Sequence, residues 1–289
     1  MNITLPVSIT KADLQAYRED GAVCLRGILD AEWCERMLDA SARMMDRPDD
    51  QTRDTREAGG GRFYRNLWMA RREPDFAALR DRSPMAELAA RLMQAPKVRY
   101  FYDQLFIKEP GTQMPTQWHQ DLPFWPYQGE DIVSIWIALT PVTKATSGVE
   151  YVAGSHRWNK FYKAVTPDAN PARMDPTAEL CPDYSNPPEG VRMLCWDMEP
   201  GDVLCHHPLT IHGAGGNTSS TRRRVGLSIR FFGRDARSDP RPHAMRLDLT
   251  PRVQPGEYPA DDEVYPVIWE QGRGLVNTVA VKMSSEERL

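Results

Sequence analysis

A mainly β chain, a sandwich or small barrel with helices gathered in its first third, is the fold class this sequence predicts. Residues 98–107 (VRYFYDQLFI), 131–139 (DIVSIWIAL) and 224–232 (RVGLSIRFF) are rich in β-branched and aromatic types, and the last two alternate. Pro and Gly punctuate the gaps at Pro110-Gly111, Gly148, Pro200-Gly201 and Gly213 to Gly216. Short strands separated by such turns fit two packed sheets better than βαβ units.

The helical part comes first. Thr10 is placed as an N-cap, with Asp13 three residues on and Gly21 as the stop. Residues 22–28 (AVCLRGI) read as a short strand. Asp30 caps a second helix whose apolar face holds Trp33, Met37 and Leu38. Residues 48–62 are polar and glycine-rich, which predicts a mobile loop, and 85–93 (MAELAARLM) are helical. Residues 166–190 are long, polar and proline-rich, a pattern expected of a lid or binding loop. There is no internal repeat and no low-complexity tract.

Composition narrows the class of partner. At 289 residues the chain can bury a core without disulfides or a structural metal. Its net charge of −4 gives no electrostatic case for nucleic acid or an anionic membrane. Five cysteines, at 24, 34, 181, 195 and 205, form no C-x-x-C pair. That argues against a disulfide framework and a cysteine zinc site. No run approaches 18 apolar residues, and the start shows no basic segment leading into an apolar one. The expectation is a reduced, cytoplasmic protein with no membrane span.

The chemistry centres on Trp118-His119-Gln120-Asp121. In a strand, residues i and i+2 project to one face, so His119 and Asp121 would offer an imidazole and a carboxylate to one point. Alone, an H-x-D is weak, and a surface His beside an Asp is the ordinary reading. Downstream, residues 202–213 (DVLCHHPLTIHG) supply His206, His207 and His212 as candidates for a second imidazole. Two His and one carboxylate suit Fe(II), because three ligands on one octahedral face leave three positions open. Two of these can take a bidentate 2-oxo acid and one can take O₂.

Arg222, Arg223 and Arg224 decide between readings. A dicarboxylate cosubstrate needs its far carboxylate held, and a planar guanidinium does so bidentately. Along 224–232, Arg224, Gly226, Ser228 and Arg230 share one strand face, and Val225, Leu227, Ile229 and Phe231 the other. Gly226, two places after the arginine, would leave room for the cosubstrate. The plain alternative for the cluster is a solvated basic turn. A zinc-dependent hydrolase could use the same three ligands, but has no need of the arginine. A non-catalytic jelly-roll binding protein is the third reading. A nucleic-acid module rests on the arginine cluster alone and runs against the acidic net charge.

At this point the residues resemble the phytanoyl-CoA dioxygenase-like (PhyH) Fe(II)/2-oxoglutarate oxygenases. The similarity runs from about residue 10 to about 240. It is carried by residues 19–27, 103–111 (DQLFIKEPG), 118–121, 134–139, 154–158 (GSHRW), 212–217 (HGAGGN) and 224–228, in that order. The resemblance implies a double-stranded β-helix, a cupin-like jelly-roll core with flanking α-helices. The chain would then be one domain over 1–289: helical support to about 97, jelly roll over about 98–235, and a C-terminal extension over 236–289. It implies His119, Asp121 and His212 as iron ligands, with 2-oxoglutarate and O₂ as cosubstrates and a small molecule as substrate. Arg224 would hold 2-oxoglutarate, with Arg223 as the fallback. Trp136, Gln104, Ala214 and Ser228 would line its site. Lys108 is either a contact of this kind or a surface partner of Glu109. Phe124-Trp125-Pro126-Tyr127 would exclude water or simply fill core. Arg157, Arg230 and the aromatic residues could host an anionic or an aromatic substrate equally well. Because Asp121 is present, oxidation of a C–H bond such as hydroxylation is expected, rather than halogenation.

Overall fold

A computed structural model of the chain describes residues 9–163, 177–242, 244–245 and 253–276. The first helix, α1 (Lys11–Asp20), starts with the expected capping box. Thr10 Oγ1 accepts from the Asp13 N–H at 3.1 Å, and Asp13 accepts from the Thr10 N–H at 2.9 Å. Gly21 ends it in the left-handed region, φ 76°. A Cβ there would lie 2.3 Å from the His156 ring, so the position excludes side chains on two counts. β1 (Ala22–Leu25) follows, then α2 (Ala31–Asp46), capped by Asp30 and burying Cys34, Met37, Ala40 and Met44.

The loop expected over 48–62 is largely a hairpin. β2 (Arg53–Arg56) pairs antiparallel with β3 (Arg62–Leu67), leaving only 57–61 as the turn. The pairing is held by polar contacts, among them Arg62 to Asp54 at 2.8 Å and 3.0 Å. β2 is a polar, mostly exposed edge strand with no apolar alternation to betray it, although β3 buries Phe63 and Tyr64. Two helices then pack on the sheet, α3 (Pro74–Arg82) and α4 (Met85–Met93).

The remaining strands are β4 (Lys97–Lys108), β5 (Thr116–His119), β6 (Tyr127–Gln128), β7 (Ile132–Ala138), β8 (Val149–Val152), β9 (Met193–Cys195), β10 (Val203–His206), β11 (His212–Ala214), β12 (Arg224–Phe232), β13 (Arg237–Ser238), β14 (Val267–Glu270) and β15 (Gly274–Leu275). The major sheet runs β1-β10-β7-β12-β4-β14-β15, with β3 also on β4 and β2 on β3. The minor sheet runs β5-β11-β8-β9, and β13 pairs with β6. Neighbours in both sheets are antiparallel. This is the mainly β jelly roll with flanking helices that the sequence predicts.

Alternation along β12 divides the molecule as expected. Val225, Leu227, Ile229 and Phe231 are buried in one core with Met37, Leu88 and Leu92 of the helices. Each such side chain contributes roughly 1.5–3 kcal/mol by leaving water. Arg224, Gly226, Ser228 and Arg230 face the other way, and the three with side chains line a cavity between the sheets. Among the described residues after 235, several pack on this core. Trp269 pairs with Val98 and Glu270 with Lys97. Tyr265 joins Phe101, Tyr127 and Phe232 in an aromatic cluster.

Of the expected lid, residues 166–176 lie outside the described residues. Residues 177–190 contain no regular helix or strand, and Tyr184 of this stretch is buried edge-on against Trp118 at 5.7 Å. No helix among the described residues is long and apolar enough to cross a membrane.

Candidate active site

β5 and β11 place the two imidazoles. His212 is the cross-strand partner of His119, and their rings lie 4.2 Å apart. The reading of His119 and Asp121 as i and i+2 of one strand needs correction. The strand ends at His119, and Asp121 turns into the helical region at φ −72°, ψ −43°. Its N–H is held by Pro208 O at 2.8 Å, so the loop leading into β11 fixes the turn. The carboxylate still arrives between the rings. Asp121 Oδ1 lies 3.6 Å from His119 Nε2 and 3.8 Å from His212 Nε2. The three ligand atoms are all within 4.8 Å of one another.

Backbone carbonyls fix which nitrogen of each ring faces this point. His119 Nδ1 sits 2.7 Å from Gln117 O, and His212 Nδ1 sits 2.9 Å from Thr210 O. A carbonyl only accepts, so each Nδ1 carries the proton and each Nε2 presents a lone pair. The donor types and their lone-pair directions therefore suit a divalent metal.

Three neighbouring strands hold the other carboxylate oxygen. His206, Ser134 and Arg230 are paired across β10, β7 and β12. Ser134 Oγ donates to Asp121 Oδ2 at 2.9 Å, His206 Nε2 lies 3.4 Å away and Arg230 Nε 3.5 Å. Oδ1 is thus left to face the imidazoles. Tyr151 OH backs His206 Nδ1 at 3.1 Å. Burial pushes the Asp121 carboxyl up. Arg230, His119, His206 and His212 outweigh it and hold the group well below the usual carboxylate range. Burial, then the neighbouring imidazoles, pushes His212 well down, so it stays neutral and able to ligate. Desolvation likewise lowers His206.

Arg224 lies elsewhere in the same cavity. It is 2% exposed, with its guanidinium 5.6 Å from the Trp136 ring. Nη2 donates to Ser147 Oγ at 3.1 Å, and among the described residues Nε has no hydrogen-bond partner. A buried cation without a counter-charge is expensive unless an anion meets it. Arg223 turns outward and pairs with Glu109 at 2.8 Å, and Arg222 is exposed. Trp136, Ser228 and Gln104 are in register across β7, β12 and β4 and all line the cavity, as does Ala214.

Gly226 has a different role from the one expected. A Cβ there would sit 2.0 Å from Trp136 Cζ2, so the space is taken by the indole and not kept for a ligand. Lys108 is not a surface partner of Glu109. It is fully buried, and its Nζ donates to Gly215 O at 2.8 Å. Desolvation, reinforced by Arg224 and Arg65, lowers its pKa to about 6.

The aromatic stretch splits. Phe124 lies 5.7 Å from the His119 ring and lines the cavity with Trp125, whereas Tyr127 belongs to the core. His207 points away from the site, with Nε2 3.3 Å from Glu130. Arg157 is exposed and does not line the cavity, whereas Arg230 does.

Sequence reasoning missed Ser134 and Tyr151. Ser134 had a signal: a hydroxyl two residues before Trp136 on a wholly buried strand needs a partner inside.

A sequence profile of the family described as phytanoyl-CoA dioxygenase (PhyH) matches residues 17–225. The chain belongs to this family. A multifunctional dioxygenase of Penicillium brasilianum is 26% identical over 236 residues, covering 77% of this chain and 72% of that one. Among solved structures, the non-haem α-ketoglutarate-dependent carbocyclase SnoK of nogalamycin biosynthesis superposes with a TM-score of 0.70. It is 23% identical and covers 90% of this chain and 96% of its own. The epimerase SnoN, solved with Fe³⁺, α-ketoglutarate and nogalamycin RO, gives 0.68 at 21% identity, covering 89% and 97%. These likenesses show the fold. Together with the family and the His-Asp-His site they make the chain an Fe(II)- and 2-oxoglutarate-dependent dioxygenase.

Proposed function

We propose that this PhyH-family member oxidises a C–H bond of a small organic molecule, most simply by hydroxylation, at the site built by His119, Asp121 and His212. One observation carries the reading: these three ligand atoms converge within 4.8 Å in the cavity that also receives the buried Arg224. The ligand types suit Fe(II) with open positions, and the arginine suits a dicarboxylate. Neither a zinc hydrolase nor a vestigial binding protein accounts for that buried guanidinium.

When bound, iron would activate O₂ as the oxidant, and 2-oxoglutarate would supply two electrons as it is converted to succinate and CO₂. The chain's own residues do the rest. His119 Nε2, His212 Nε2 and Asp121 Oδ1 would hold the metal. Ser134, His206 and Arg230 keep Asp121 Oδ2 occupied, so the carboxylate does not swing. Arg224 binds the far carboxylate of 2-oxoglutarate, with Trp136, Ser228, Gln104 and Ala214 around it. Phe124 and Trp125 keep water from the reacting centre. A cavity of about 300 Å³ favours a compact substrate. One catalytic domain working in the cytoplasm completes the reading.

Purified protein with Fe(II), 2-oxoglutarate, O₂ and ascorbate should form succinate, above all when substrate is present. Loss of that activity on replacing Fe(II) by Zn(II) supports the reading. Zinc-supported hydrolysis without O₂ would replace it by the hydrolase.

A further inference from the structure

The charges lining the cavity do not cancel. Among the described residues, Asp121 is the lining acid, and Arg224 and Arg230 oppose it. Fe(II) brings two positive charges and 2-oxoglutarate two negative ones, so binding them leaves the difference unchanged. At least one guanidinium remains in excess where the arginines are buried, and an uncompensated buried charge is costly. Arg65 lines the same cavity and has contacts of its own, so the excess counted without it is a minimum.

The excess sits at Arg230. Arg224 is matched by the far carboxylate of the cosubstrate. Arg230 is 3% exposed, and its guanidinium lies over the Tyr102 ring at 4.3 Å and near Trp125 at 5.7 Å. In the metal-free protein its Nε leans on Asp121 Oδ2 at 3.5 Å, beyond good hydrogen-bonding distance, and its Nη1 is buried with no hydrogen-bond partner. A metal on Asp121 Oδ1 draws off the negative charge that Arg230 now faces. Around it the walls are apolar: Leu67, Phe124 and Met245 line the same space.

We infer that the substrate carries an oxyanion, a carboxylate or a phosphonate, on a compact apolar body, and that Arg230 receives that oxyanion. This rests on the oxygenase reading, because the excess is counted with iron and 2-oxoglutarate in place. Arg230 then determines specificity as well as bracing Asp121. The neutral amide of a true substrate would leave the guanidinium unpaired.

The test uses matched sets of carboxylic acids, phosphonic acids and primary amides on the same alkyl, aryl and cyclic skeletons. They are offered without air to the protein loaded with Fe(II) and 2-oxoglutarate, and retained members are counted by ultrafiltration and mass spectrometry. Acids of one or both types should be retained about tenfold or more over their amides, as a charged hydrogen bond requires. The two acid arms tell carboxylate from phosphonate. Arg230→Gln should remove the preference, and Arg230→Lys should keep part of it. Equal retention of acids and amides by the wild type, or retention of neither, overturns the inference whatever the variants do. The visible Fe(II)–2-oxoglutarate band, recorded first, separates the two layers. A band with no acid preference sinks this inference alone, and no band in the wild type sinks the oxygenase reading beneath it.

Discussion

His119 and His212 are direct cross-strand partners on β5 and β11, and that single pairing sets their rings 4.2 Å apart with both Nε2 atoms turned to Asp121. Replacing either ring by alanine breaks the facial set while leaving the strand pairing intact. His119→Ala and His212→Ala should therefore fold, yet lose iron and succinate formation together. The loss should exceed the roughly 10–100-fold typical of a group one contact further from the metal. Iron content by elemental analysis, with circular dichroism as the folding control, checks this.

Ser134 is a positioning residue with its own expected signature. It donates the shortest contact to Asp121 Oδ2, at 2.9 Å. Ser134→Ala frees that oxygen to compete for the metal and leaves a small buried gap. Iron affinity should fall about 10–100-fold, and stability by only about 1 kcal/mol. A metal titration alongside urea unfolding separates the two. Unchanged affinity would show that His206 and Arg230 suffice.

Much of this site was legible because strands and short motifs have fixed geometry. Alternation along 224–232 put Arg224, Ser228 and Arg230 on the cavity face without any structure. The capping box at Thr10 and Asp13 is local chemistry and was equally readable. What failed was non-local. β2 is wholly polar, so no periodicity marked it, although its partner β3 buries Phe63 and Tyr64. Gly226 was read as room for a ligand, but the indole of Trp136 from the neighbouring strand β7 already fills that room. Ser134 meets Asp121 only because β7 of one sheet comes against the turn after β5 of the other, which no single stretch of sequence encodes.

Gly226→Ala tests that corrected role. The added methyl meets Trp136 Cζ2 at 2.0 Å, so the indole must move. Stability should drop by roughly 1–3 kcal/mol, as overpacking a tight site does. Trp136 also carries Arg224 beside it, at 5.6 Å, so 2-oxoglutarate affinity should weaken in the same variant. Denaturant unfolding and a cosubstrate titration report the two effects separately.

Lys108 gives the pH prediction. Burial lowers its pKa from the ordinary 10.5 to about 6 in the folded protein. The unfolded chain thus binds more protons between these values, and stability rises with pH across that window. Below about 6 both states are charged and the penalty is complete. Lys108→Met removes the titration but also the bond to Gly215 O. Its stability relative to wild type should therefore improve steadily as pH falls from about 9 to about 6, by an amount on the order of 3–4 kcal/mol. Parallel unfolding curves for the two proteins would contradict this.

The central claim is that one ferrous ion and one 2-oxoglutarate share the cavity between His119, Asp121, His212 and Arg224. An anaerobic titration reads it directly. Adding Fe(II) and 2-oxoglutarate without air should raise a visible charge-transfer band that saturates at one equivalent of each. Arg224→Gln should need about 10-fold or more cosubstrate to reach it, the cost of one charged hydrogen-bond pair. Absence of any band in the wild type, or saturation of Arg224→Gln at the wild-type concentration, would contradict the account.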